Sequence, residues 1–324
     1  MANVLDLEAL EPTKISRDLK GKFVLLYGKP KIGKTSMSAS FPRNLILATE
    51  VGYHAISGIH AVDIDSWLTF KGYLKQLKKD TIKSKFDTIT IDTISLLWDL
   101  CEKYICQQND VKTLGDIAWG RGYDQCKKEF GEGLREITLQ GYGLVLIAHS
   151  ESRVETADNG DEMEFIAPAL NKRPYAIVNQ LVDIIGYIGI DRATQERVIY
   201  TRATPTVMAG SRFGYMKPII PFGYEALSNA LADAIEEDAR HGATVVDAPI
   251  NRFNVAQKRS FEDVMSEART IFMKLADGPN ADDNMDKVSK IIETYFGSAE
   301  FRLSEAKESQ QELLEAVVTE MQQL

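Results

Sequence analysis

The stretch G-K-P-K-I-G-K-T at residues 28–35 decides how the rest of the chain is read. Gly28 and Gly33 allow successive backbone N–H groups to turn toward one point, which suits phosphate oxygens, and a helix starting at the end of the stretch adds the positive end of its dipole. The spacing is that of a phosphate-binding loop (P-loop). In that pattern Gly28, Lys29, Pro30, Lys31, Ile32, Gly33, Lys34, Thr35 and Ser36 surround the phosphates. The Lys34 ammonium meets the β- and γ-phosphates and the Thr35 hydroxyl binds Mg2+, so ATP and Mg2+ are the expected cofactors. A chance match in a chain of this length has a probability on the order of one per cent. Its placement between an apolar strand and a helix lowers that further, against the alternative of an ordinary glycine turn.

Working outward, residues 22–27 (K-F-V-L-L-Y) read as a strand and residues 35–40 as the helix after the loop. Residues 44–49 (N-L-I-L-A-T) read as a second strand, 66–79 as a helix and 86–91 (F-D-T-I-T-I) as a third strand. Ile94, Leu97, Trp98, Cys101, Tyr104 and Ile105 repeat at helical spacing, as do Trp119, Tyr123, Cys126, Phe130, Leu134 and Ile137, and both stripes are expected to face the core. Residues 143–148 (G-L-V-L-I-A) form a fourth buried-type strand. Residues 180–190 and 197–202 suggest two more, joined by a turn at 191–194. Apolar strands alternating with helices imply an α/β fold with a mainly parallel central sheet covered on both faces.

Residues 241–256 have weak periodicity and read as a linker. Beyond them Phe261, Val264, Met265, Ala268, Ile271, Phe272 and Leu275 form one helical stripe, and Val288, Ile291, Ile292 and Tyr295 a second that ends at Gly297. Ser309 followed by Glu312 is a capping-box signal before a third helix. The expected organisation is a nucleotide-binding core over 1–224, a helix and linker over 225–256, and a small acidic helical appendage over 257–324.

The chain has 324 residues, 44% of them hydrophobic and 26% charged, which is enough to bury a full core. Its net charge of −9 is unevenly placed. Residues 225–324 hold 20 acidic and 10 basic side chains, leaving 27 acidic and 28 basic before them, so the core is near neutral and a local basic surface for nucleic acid is not excluded. No apolar run reaches the roughly 18 residues of a membrane span, and residues 1–20 carry acidic side chains, so no membrane partner and a cytoplasmic location are expected. Cys101, Cys106 and Cys126 form no C-x-x-C pair and are expected to be buried free thiols.

A magnesium–nucleotide site also needs a carboxylate at the end of a neighbouring strand, and Asp92 closes the run Ile89, Thr90, Ile91. Alone, such an aspartate is more often a helix cap; its pairing with the P-loop reverses that preference. Hydrolysis requires a group that orients the attacking water. Thr93 stands beside Asp92 where many P-loop ATPases have a glutamate, so the base must come from elsewhere, and Glu50, after the second strand, is the candidate. Its alternative is a solvated loop carboxylate.

With the P-loop on one strand, a glutamate after the next and I-D-T-I-S at the third, residues 20–224 resemble the RecA-like P-loop ATPases. Within them they are most similar to bacteriophage RecA-fold ATP-binding proteins that act in single-strand annealing and recombination. The resemblance implies a RecA-like core, an oligomer in ring or filament form, single-stranded DNA and a single-strand-binding protein as partners, and the cytoplasm of a bacterial host. It also places at His149 a polar residue that senses the γ-phosphate and moves the DNA-binding loop behind it; a strand-end histidine held by a loop carbonyl is the alternative. A-G-S-R-F-G at residues 209–214 is similar to the K-x-R-F-G motif of the RadA branch, whose basic residues reach a neighbour's ATP. Arg212 matches the arginine, whereas Gly210 stands where that motif has lysine. A surface or DNA-contacting arginine is the alternative.

The same resemblance puts DNA on the loops at 150–174 and 203–218. Single strands need cations for the backbone and flat side chains for stacking. Arg153, Lys172, Arg173, Tyr175, Arg202, Arg212, Phe213, Tyr215 and Lys217 are available, with Lys172, Arg173, Arg212, Phe213 and Lys217 preferred. Glu155, Asp158, Asp161, Glu162 and Glu164 would repel phosphates and suggest a solvated hairpin tip. The leading expectation is an ATP-hydrolysing, DNA-binding protein with an intersubunit site. A DNA-independent ATPase or switch that remodels a protein partner, of helicase-loader or KaiC-like kind, is the second. A small-molecule kinase ranks last for want of an arginine-rich lid.

Overall fold

The structure, a computed structural model, describes residues 13–156, 162–247, 260–278 and 280–324. Thr13–Phe253 forms one compact unit and the helices within Asn254–Leu324 belong to another.

The strands of the central sheet are β1 (Phe23–Gly28), β2 (Asn44–Ala48), β3 (His60–Asp63), β4 (Thr88–Asp92), β5 (Gly143–Thr156), β6 (Glu162–Pro168), β7 (Ile184–Ile190), β8 (Arg197–Tyr200), β9 (Gly210–Ser211) and β10 (Ile219–Pro221). The main path across the sheet runs β10-β8-β7-β1-β5-β4-β2-β3, with β9 on β7 and β6 on β5. The strands from β7 to β3 are parallel, and β8 and β10 add antiparallel edges. The larger unit's helices of six or more residues are α1 (Lys34–Ala39), α2 (Trp67–Leu77), α3 (Ile94–Gln108), α4 (Arg121–Leu139), α5 (Lys172–Leu181) and α6 (Tyr224–Arg240).

Successive side chains of a strand point to opposite faces, and β1 shows what that does here. Phe23, Leu25 and Tyr27 face a core shared with Trp67 and Phe70 of α2, Trp98 of α3, Phe130 of α4 and Val178 of α5. Val24 and Leu26 face a second core with Met37 of α1 and Leu227, Leu231 and Ile235 of α6. Both faces are covered, so β1 is buried at every residue, as expected for the centre of a parallel sheet.

Several local expectations change. Trp119 lies outside the stripe of α4: it precedes the helix at φ 61° and is 96% exposed. The strand from Gly143 runs past 148 to Thr156, because its outer half pairs antiparallel with β6 from Ser150↔Pro168 to Thr156↔Glu162. Much of the 150–174 segment, expected as a loop that contacts DNA, is therefore paired strand, with Glu155, Glu162 and Glu164 on the strands and Asp158 and Asp161 outside the described residues. Edge strand β3 has no buried face, so no apolar alternation announced it. The expected turn after β7 is built on Asp191, whose carboxylate accepts from the N–H groups of Ala193 and Thr194. In the linker, Val245–Val246 pairs in parallel with Ile15–Ser16; residues 248–256 lie outside the described residues.

The smaller unit contains α7 (Phe261–Ala276), α8 (Ala281–Phe296) and α9 (Gln311–Met321), packed around Val264, Ala268, Val288, Ile292, Leu314 and Val317. Ser260 caps α7 by accepting from Asp263 N at 3.0 Å, and Gly297 ends α8 in the left-handed conformation. The Ser309 capping box does not form: a short 3-10 turn occupies Glu308–Gln310, and α9 starts from Gln310 with no side-chain cap. All three cysteines are free and buried.

All three tryptophans lie in the larger unit, so their fluorescence in urea reports on its unfolding. Phe130→Ala, which empties a fully buried site, should destabilise it by about 3–5 kcal/mol. Trp119→Ala should change it by less than about 0.5 kcal/mol.

Candidate nucleotide site

The turn out of β1 has room for glycine alone at two points. A Cβ at Gly28 would lie 2.7 Å from the Ile188 carbonyl oxygen, and Gly33 sits at φ 105° with its Cβ position 2.5 Å from Arg197 Nη1. Both glycines of the motif are therefore required by the backbone path, and Gly33 serves as N-cap of α1.

Four parallel strands end beside this turn. Gly28 pairs with His149 of β5, Ile147 with Asp92 of β4, and Asp92 with Ala48 of β2. Glu50 follows two residues after β2, where the N–H groups of Thr49 and Glu50 both donate to the Asp92 carbonyl. The register thus brings Lys34, Thr35, Asp92, Glu50 and His149 together from positions spread over more than a hundred residues.

Lys34 is buried, and its Nζ donates to the carbonyls of Gly28 and Lys29, each at 3.0 Å. Burial lowers its pKa, while Asp92 and Glu50 pull it back. The Thr35 hydroxyl donates to Asp92 Oδ2 at 2.6 Å. Asp92 is 7% exposed, and burial raises its pKa against the hydrogen bond from Thr35. A cation here would relieve that penalty.

A hydroxyl and a buried carboxylate in contact are hard oxygen donors of the kind Mg2+ takes. Among the described residues no group of three or more His, Cys, Asp or Glu could hold a metal. The Thr35 hydroxyl would meet Mg2+ directly and Asp92 through water, leaving room for phosphate oxygens at the ion. The residues therefore fit the group.

His149 Nδ1 lies 3.4 Å from Lys34 Nζ, and its Nε2 lies 3.2 Å from Glu50 Oε1. An ammonium can only donate, so Nδ1 accepts from Lys34 and Nε2–H donates to Glu50. Thr93 Oγ1 donates to the same glutamate oxygen at 3.2 Å. Glu50, whose side chain is 36% exposed, thus contacts two strand-end neighbours, and Thr93 is a contact that inspection of the sequence passed over. The Asp92–Thr93 peptide bond is cis.

Other sequence candidates lie elsewhere. Arg212 is next to Ser211, which pairs with Ile184 at the beginning of β7, whereas Gly28 pairs with Ile188. Four strand residues, about 13 Å, separate the two levels. Within its own chain Arg212 donates to Asp183 and to the Gln180 carbonyl, away from the P-loop. Phe213 is 9% exposed, sits in the core under α6 and has Lys22 Nζ over its ring, so it cannot stack on a base. Its selection as a DNA contact is corrected by that burial. Lys217 pairs with Asp233. Lys172 and Arg173 begin α5, with Arg173 over the ring of Tyr123 at 3.8 Å. Because α5 leads from Lys172 back to Leu181, three residues before β7 begins, the 172–173 and 212–217 segments lie toward opposite ends of the sheet and make no single patch. Arg153 is spent on Glu151 and on the carbonyls of Pro168 and Leu170. Arg202 donates to the Gly214 carbonyl, and Tyr175 is half-buried against the core.

Two residues that sequence inspection missed adjoin the P-loop. Arg197 Nη1 donates to the Ile32 carbonyl at 3.2 Å, and its guanidinium lies 4.1 Å from the centre of the Phe222 ring. No spacing rule links either to the motif, since the contact spans 165 residues.

A family model described as an AAA domain matches residues 20–213, more than half of the chain and the whole stretch from the P-loop to Arg212. Along nearly its full length the chain is similar to the SPbeta prophage-derived uncharacterized protein YorG of Bacillus subtilis (strain 168). The two are 26% identical over 331 residues, which cover 99% of this chain and 98% of the relative. No helix among the described residues is long and apolar enough to cross a membrane.

The raised pKa of Asp92 has a stability consequence. Between the ordinary 3.8 and the raised value the folded state holds more protons than the unfolded one, so stability falls as pH rises through that window. Melting of nucleotide-free Asp92→Asn should therefore gain on wild type as pH rises from 3.8 toward neutrality, and a constant difference would contradict the assignment.

Proposed function

The chain belongs to the AAA domain family, and from that premise we propose that it binds and hydrolyses ATP with Mg2+ and couples turnover to single-stranded DNA. The observation that carries the ATPase reading is the meeting of Lys34, Thr35, Asp92, His149 and Glu50 at the ends of parallel strands. Lys34 exchanges the Gly28 and Lys29 carbonyls for phosphate oxygens, which compensate its charge better than two dipoles do. Thr35 and Asp92 hold Mg2+, which when bound supplies charge neutralisation at the phosphates. Glu50, held by Thr93 and His149, orients the attacking water and accepts its proton. His149 touches both Lys34 and Glu50 and so links occupancy of the phosphate site to the position of the base.

The DNA reading rests on the resemblance to phage RecA-fold annealing and recombination proteins, with which a prophage-derived relative accords. One path in the fold supports it. β5 continues from His149 into the hairpin, and the returning chain comes back to donate from Ala169 N to the His149 carbonyl at 2.8 Å, three residues before Lys172. A shift of His149 is passed directly to Lys172 and Arg173, the cations offered to the DNA backbone. Arg212 completes a neighbour's site in a ring or filament, a single-strand-binding protein is a further partner, and the setting is a bacterial cytoplasm. The larger unit, which includes α6, carries these functions.

A protein partner in place of DNA is the second reading. It is favoured by the exposed apolar side chains Val154 and Met163 on a hairpin that also carries Glu151, Glu155, Glu162 and Glu164.

Glu50→Gln should retain ATP binding and lower steady-state turnover by about 10²–10⁴-fold. Unchanged turnover would remove Glu50 from the mechanism. Single-stranded DNA should stimulate wild-type turnover in a salt-sensitive way, with the effect reduced in Lys172→Ala/Arg173→Ala; a flat response with an assembled oligomer favours the protein partner. Mixing inactive Arg212→Ala with inactive Lys34→Ala should restore activity if Arg212 acts across subunits, and no recovery counts against it.

A further inference from the structure

The P-loop has two flanks. On one, β5, β4 and β2 deliver His149, Asp92 and Glu50, the groups suited to the terminal phosphate and Mg2+. On the other stand β7, its antiparallel neighbour β8, and β10 on the far side of β8. There Arg197 pairs with Ile190 at the end of β7, two residues beyond the partner of Gly28, and Phe222 follows β10. The Phe222 N–H donates to the Arg197 carbonyl, so one backbone bond holds the two side chains together.

Their contacts with the loop are close. The Gly33 Cβ position is 2.5 Å from Arg197 Nη1 and 3.1 Å from Phe222 Cζ. The phenyl ring is half-buried against the core of α1 and α6, while Arg197 is exposed. A guanidinium lying on an aromatic ring and still open to solvent offers a flat, weakly hydrated face, a good stacking surface for a heterocyclic base.

We propose that Arg197 and Phe222 form the nucleoside wall of the site, with the purine base stacked on the guanidinium that Phe222 supports. The inference rests on the ATP reading above. If the terminal phosphate lies among Lys34, Asp92 and Glu50, the nucleoside leaves the loop on the opposite flank, and that is where this pair stands. Arg197 stacks on the base and leaves the polyphosphate to the loop. In this role it is a binding residue that takes no part in the chemistry at the terminal phosphate.

The test is calorimetric titration of full-length protein with ATP and, separately, with inorganic tripolyphosphate, both in Mg2+. Arg197→Ala alters an exposed side chain, and Phe222→Leu keeps apolar volume in the core while removing the ring. Each variant should bind ATP about tenfold more weakly and tripolyphosphate within about twofold of wild type. Lys34→Ala should weaken both ligands. Parallel losses for ATP and tripolyphosphate in the Arg197 and Phe222 variants would overturn the proposal, because the pair would then be supporting the loop. ATP affinity equal to wild type in both variants would overturn it and leave the ATP reading standing. Wild-type protein that binds neither ligand would overturn the ATP reading itself.

Discussion

Everything at the site depends on the register of four parallel strands. Because Gly28, His149, Asp92 and Ala48 lie at nearly the same level of the sheet, the residues just beyond them share one edge. A slip of one residue in any pairing would turn that strand's side chains to the other face and separate the Thr35–Asp92 and His149–Glu50 contacts. The register is fixed from both sides of the sheet. On one face Leu25, Ile89, Ile91, Leu144 and Leu146 pack under the tryptophans and phenylalanines of α2, α3 and α4, and on the other Leu26, Val145 and Ile147 pack under α1 and α6. The apolar cores are what place the polar groups.

The polar groups in turn sit at some electrostatic disadvantage. Burial raises the Asp92 pKa and lowers that of Lys34, so a carboxylate and an ammonium are each held where their charged forms are least welcome. A phosphate beside Lys34 and a cation beside Asp92 would relieve both shifts at once. His149 adds connectivity: it touches Lys34 with one ring nitrogen and Glu50, the proposed base, with the other.

Much of this was legible in the sequence because the determinants are local. The P-loop is contiguous, and Asp92 and Glu50 each follow an apolar run whose end could be read without a structure. The parallel α/β class followed from the same runs alternating with helical stripes. What was not legible depends on contacts between distant elements. Phe213 looked like a stacking residue beside Arg212 until α6 covered it, and Trp119 continued a helical period that the chain breaks at its own positive φ. Of the β5–β6 hairpin only a solvated acidic tip was legible; its two strands were not, because their residues are largely exposed. Arg197 and Phe222 reach the P-loop only through the antiparallel return of β8 and β10, which no spacing rule encodes.

That the strand ends form a single magnesium–nucleotide site can be measured most directly by titrating Mn2+ into the protein and following the paramagnetic resonance of free ion, with and without a non-hydrolysable ATP analogue. One Mn2+ should bind per chain when the analogue is present, and Thr35→Val should abolish it. Equal binding without nucleotide, or none with it, would contradict a site assembled from Lys34, Thr35 and Asp92.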